Sequence, residues 1–72
     1  MYILIKHIKN RKNNLIFPIV LTETEHEAYL QLLIEAEPLY ESHIINKEED
    51  NFKSFTSNGE TINLFIKYVA KL

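Results

Sequence analysis

Ser57-Asn58-Gly59-Glu60-Thr61-Ile62-Asn63-Leu64-Phe65-Ile66-Lys67-Tyr68-Val69-Ala70-Lys71-Leu72 reads in two ways, and the choice decides the fold. As a helix, Ile62, Phe65, Ile66, Val69 and Leu72 form one stripe opposite Asn63, Lys67 and Lys71, with no misfit. Ser57-x-x-Glu60 supplies a capping box, and Lys71 places a cation at the end of the helix where the dipole favours one. As a strand, Ile62, Leu64, Ile66, Tyr68 and Ala70 alternate well, but Phe65 and Val69 interrupt the polar second face. Asn58-Gly59 suits a two-residue hairpin turn, and the β-branched content favours a strand. The periodicity count favours the helix over 60–72, and a helix is the expectation.

Upstream, Thr24-x-x-Glu27 opens a segment in which Ala28, Tyr29, Leu32, Leu33 and Ala36 share one stripe, predicting a helix over 24–36. Thr22-x-x-Glu25 is a second capping box, less well placed because the apolar pattern begins at Ala28. Glu23, Glu25 and Glu27 lie where the dipole favours negative charge, and Pro38 ends the helix. The two halves of the chain then echo each other, since each capping box follows a strand candidate. Residues 2–9 and 15–21 predict a hairpin around Asn10-Arg11-Lys12-Asn13-Asn14, whose asparagines tolerate positive φ. Pro18 lacks an N–H and places the second strand at an edge or a bulge. Residues 40–46 and 52–57 predict a weaker hairpin around 47–51. The expected fold is α+β, a single domain over 1–72 of order ββαββα. Its four-stranded antiparallel sheet carries both helices on one face.

Composition excludes several chemistries. A chain of 72 residues with 46% hydrophobic content is too apolar to be disordered, yet its core is thin for independent stability. There is no Cys, which removes disulfides and thiolate metal sites. Gly59 is the only glycine, so no phosphate-cradling loop can be built. No apolar run approaches the roughly 20 residues of a membrane span, and Met1-Tyr-Ile-Leu-Ile lacks the flanks of a signal peptide. A cytoplasmic protein without membrane attachment, cofactor or small-molecule substrate is the expectation. The richness in Ile, Asn and Lys suggests an AT-rich coding sequence.

His7, His26 and His43 show no metal-ligand spacing, and no metal site is expected. Ser42-His43 are adjacent; in a strand they point to opposite faces and cannot form a nucleophile–base pair. Clustered glutamates on a solvated helix do not make the split carboxylate pair that acid–base catalysis needs. No catalytic residue is assigned, and an enzyme is not expected.

Charge carries the strongest functional signal. Lys6, Lys9, Arg11 and Lys12 give +4 over 1–21, Glu23 to Asp50 bring 22–50 to −8, and 51–72 returns to +2. Such separated fields act on partners rather than on fold. Capping explains part of the acid, but Glu35, Glu37 and Glu41 lie beyond the dipole's favourable end. The expected function is therefore a non-enzymatic protein-interaction module that binds a basic partner surface through Glu23, Glu27, Glu35, Glu37 and Glu41. An inhibitor that covers a nucleic-acid-binding surface is one form of it. A homodimer is a further expectation, because the core is thin and the first strand is apolar on both faces. The alternative is a small nucleic-acid-binding regulator using Lys6, Lys9, Arg11 and Lys12 of the basic hairpin 6–12. In size and absent chemistry the chain resembles short phage and mobile-element proteins, a likeness of style with no residue motif behind it.

Overall fold

A computed structural model describes residues 1–70 of the protein. The elements run β1 (Tyr2–Lys9), β2 (Asn14–Thr22), α1 (Glu25–Ala36), α2 (Leu39–Ser42), β3 (Ile44–Glu49), β4 (Phe52–Ser57) and β5 (Glu60–Tyr68). They build one five-stranded sheet in the order β2-β1-β5-β4-β3, with every neighbouring pair antiparallel. The two hairpin units, β1–β2 and β3–β4–β5, meet in the middle through β1 and β5, paired from Tyr2↔Tyr68 to Lys9↔Thr61. The helices carry the chain from one edge strand, β2, to the other, β3.

The four-stranded ββαββα arrangement is thus corrected to five strands with one helix and one helical turn. The final segment is strand, because its turn and its neighbours both demand it. Asn58 and Gly59 sit at φ 49° and φ 78°, the double positive-φ signature of a two-residue hairpin turn. Ser57 and Glu60 face each other across that turn, so they pair strands instead of capping a helix. The supposed misfit also disappears. Phe65 lies on the open face between Ile5 of β1 and Phe52 of β4, apolar cross-strand neighbours that leave its ring half-exposed. A central strand tolerates apolar residues on both sides. A helix here would have stripped β1 and β4 of their shared neighbour. Lys71 and Leu72, which belonged to the helical reading, lie outside the described residues.

The second helix is instead α2, a single turn after Pro38 that takes up Tyr40, Glu41 and Ser42. β3 therefore starts at Ile44 and keeps Lys47, Glu48 and Glu49 within it, leaving Asp50-Asn51 as the turn. The first hairpin and α1 form where the sequence predicts them. Thr24 caps α1, with its Oγ accepting from the Glu27 N–H at 3.2 Å. Pro18 lies in an edge strand at a bulge opposite Leu4 and Ile5, both positions its missing N–H allows.

The core lies on one side of the sheet. Leu4, Phe55, Ile62 and Leu64 point towards Leu32, Ala36 and Leu39, with Ile8, Val20 and Ile66 packed around them. Ala28, also buried, and Ala36 let the α1 backbone approach the strands closely. Strand alternation sends Ile3, Ile5, His7, Lys9, Phe52, Ser54, Thr56, Thr61, Asn63, Phe65 and Lys67 to the opposite, open face. Leu64→Ala should cost about 2–5 kcal/mol, enough to unfold much of a domain this small. Gly59→Ala should cost about 1 kcal/mol through its positive φ alone, since a Cβ there meets no atom within 4 Å. Urea unfolding of both variants checks this; a neutral or stabilising Gly59→Ala would contradict the hairpin turn.

Candidate interaction surfaces

The acidic residues gather on the helical side of the sheet. Glu23 precedes α1, Glu25 and Glu27 stand in its first turn, Glu37 caps its end, and Glu41 lies on α2; all five are exposed. Glu35 is half-buried in the last turn, which holds no basic residue. Glu27 also serves the cap, accepting from the Thr24 hydroxyl at 2.8 Å. An open cleft of about 360 Å³ between the start of α1 and the β3–β4 turn joins Glu25, His26 and Tyr29 to Asp50. Acids from two separate segments thus share one surface.

Few of these charges are neutralised internally. Among the described residues the one ion pair is Lys47–Glu49 at 3.5 Å, both side chains mostly exposed, and such pairs contribute little. Glu48, on the helical side of β3, accepts from the Tyr40 hydroxyl at 2.8 Å. The Tyr40 ring meets Phe55 edge-on at 5.3 Å. Burial, then the hydrogen bond to Glu48 and the nearby charge, push the Tyr40 hydroxyl up to about 12.

The basic residues of the first hairpin divide. Lys9, Arg11 and Lys12 are exposed around the tip, whereas Lys6 is half-buried on the helical side of β1, between Phe17 and Leu64. The tip is built by Asn10, whose Oδ1 accepts from the N–H groups of Lys12 (3.0 Å) and Asn13 (2.8 Å). This is the asparagine turn chemistry the sequence suggested. An open cleft of about 450 Å³ lies between this tip and the Asn58-Gly59 turn.

The sequence pattern did not reveal the open face, because its residues come from distant strands. Phe52 and Phe65 lie side by side, ring centroids 6.3 Å apart and planes inclined by 27°. The Lys47 Nζ stands 5.7 Å over the Phe52 ring. Next to them runs a polar band. His7 bonds through Nε2 to Asn14 Oδ1, and its Nδ1 lies 3.2 Å from Asn63 Nδ2. An Nε2-protonated ring satisfies both contacts. Asn46 donates to Ser54 and Thr56. The signal available in advance was the pair of phenylalanines out of phase with the core residues of their strands, Phe52 against Phe55 in β4 and Phe65 against Ile62 and Leu64 in β5.

Ser42 and His43 need a correction. They do not lie together in a strand: Ser42 ends α2 and His43 follows it, and Ser42 Oγ is 2.6 Å from His43 Nδ1. The same Oγ donates to Pro38 O at 3.3 Å. The pair is a surface contact, and among the described residues nothing is hydrogen-bonded to His43 Nε2 to orient it as a base. His26 stacks on Tyr29 at the start of α1. Among the described residues no group of three His, Asp or Glu side chains is placed to hold a metal. No helix there is long and apolar enough to cross a membrane.

The raised Tyr40 hydroxyl has a pH signature. A proton held more tightly in the folded chain than in the unfolded one stabilises the fold fully below pH 10. That contribution fades as pH rises from 10 towards 12. Ultraviolet titration should show one tyrosine ionising near pH 12, absent in Tyr40→Phe. The stability of Tyr40→Phe should change less between pH 10 and 12 than that of the parent. No protein-family model, curated protein or solved structure matches the chain, and its surfaces alone carry the functional argument.

Proposed function

We propose that this chain is a non-enzymatic protein-interaction module that engages a basic surface of a partner protein through its acidic helical layer. The contact charges are Glu23, Glu27, Glu35, Glu37 and Glu41. The observation that carries this reading is the absence of internal compensation. No Lys or Arg occurs between Asn13 and Asn46, and the only ion pair among the described residues, Lys47–Glu49, lies on the other side of the sheet. Uncompensated carboxylates of one sign raise the encounter rate with an oppositely charged surface. Apolar contact is available on the same helix, where Leu30 is 45% and Ile34 59% exposed. Charges steer and orient while such apolar groups hold. If the partner's basic surface is one that binds nucleic acid, the module acts as an inhibitor by covering it.

The test is capture of a partner from an extract of the source cell, then reconstitution with that partner purified. Neutralising Glu35, Glu37 and Glu41 to Gln should lower the association rate about tenfold at low salt, with the melting temperature unchanged. Raised salt should reproduce the loss in the parent protein. An association indifferent to both the substitutions and salt overturns the reading.

A further inference from the structure

The charge sorting noted along the chain becomes, in three dimensions, a partial sorting between the two sides of the sheet, with Lys6 and the buried Lys53 the cations on the helical side. Of the ten carboxylates, only Glu49 stands on the open face, and Lys47 is paired with it. Lys9, Lys47 and Lys67 all belong to that face, and Arg11 and Lys12 extend it at the hairpin tip. Between these cations lie the half-exposed rings of Phe52 and Phe65 on neighbouring strands. Beside the rings lie the amides of Asn46 and Asn63 and the hydroxyls of Thr56 and Thr61, and on the β1–β2 side the apolar Ile3, Ile5, Ile16 and Leu21.

We propose that the open sheet face binds single-stranded nucleic acid, its bases stacking on Phe52 and Phe65 and its phosphates meeting Lys9, Lys47, Lys67 and the hairpin tip. Aromatic rings that accept any base, within a field that attracts the backbone, are what sequence-tolerant single-strand binding requires. The amide and hydroxyl band offers donors and acceptors to base edges that only an unpaired strand exposes. From the Lys9 row to the Lys67 row is six residues of β5, about 20 Å, so a short extended strand can reach cations at both ends while crossing the rings. Duplex is disfavoured because its bases are already stacked on one another and cannot reach the rings. A second copy packed face to face is disfavoured because it would bring two faces of the same positive sign together. This inference goes beyond the partner-binding reading and uses the opposite side of the molecule.

Fluorescence anisotropy with labelled oligothymidylate and oligouridylate of about ten nucleotides, and with a duplex of equal length, tests the proposal at low salt. The single strands should bind at least tenfold more tightly than the duplex. Phe52→Leu and Phe65→Leu should each weaken binding about tenfold, and Phe65→Tyr, which keeps the ring, should retain it. Lys67→Gln, at an exposed position, should lower the slope of log affinity against log salt by about 0.7. Neutralising Glu35, Glu37 and Glu41 should not weaken oligonucleotide binding, which keeps this test separate from that of the acidic layer. Absence of binding to both single strands overturns the proposal, as does equal affinity for the duplex or indifference to loss of the rings. A two-chain mass in solution that Phe65→Lys reduces to one, without any oligonucleotide signal, overturns it in favour of a second copy.

Discussion

The pairing of β1 with β5 holds this protein together. Each borders a unit built on short-range turns, and the two-stranded β1–β2 hairpin alone would be marginal in water. Only when Tyr2–Lys9 aligns with Thr61–Tyr68 does a sheet wide enough to seat α1 exist. Leu4, Ile62 and Leu64, three of the buried core side chains, come from these two strands. Because the partners lie at opposite ends of the sequence, the loop that must close is nearly the whole chain. Such topology slows folding more than it limits stability.

What could be read from the sequence was what local interactions decide. The Asn-rich hairpin, the Thr24 cap, the stop at Pro38 and the edge position of Pro18 each follow from a few adjacent residues. The last strand could not be fixed that way. Ile62, Phe65, Ile66 and Val69 satisfy a helical period, while Ile62, Leu64 and Ile66 satisfy a strand period. The deciding fact, that Phe65 has Ile5 and Phe52 as its cross-strand neighbours, is a property of the sheet. Treating Ser57-x-x-Glu60 as a cap then turned a hairpin pair into a helix start. The Ser42–His43 contact is of the same kind, since a helical turn followed by an extended residue brings together what a strand holds apart.

The charged surfaces were partly visible. Charge runs survive folding when they sit on one helix or one loop, so the acids of α1 and the cations of the first tip kept their grouping. Lys6 left its group because alternation in β1 turns it away from Lys9. Lys47 and Lys67, too scattered in sequence to form a patch, joined Lys9 through strand register. Phe52 and Phe65 are thirteen residues apart and meet only because a two-residue turn at Asn58-Gly59 aligns their strands. No window along the chain contains that relation.

The ladder between β1 and β5 also brings Met1 and Val69 together. The Val69 N–H donates to the Met1 carbonyl at 2.8 Å, beside Tyr2 and Tyr68, at the end of the sheet remote from the Lys9–Lys12 tip. The backbone is therefore already close to a ring. A short peptide joining the end of β5 to Met1, with the chain opened in the exposed 10–13 loop, would give a circular permutant with the same strand neighbours. In that permutant β1 and β5 would be joined by a hairpin-scale connection, and the costliest closure in the native topology would become one of the cheapest.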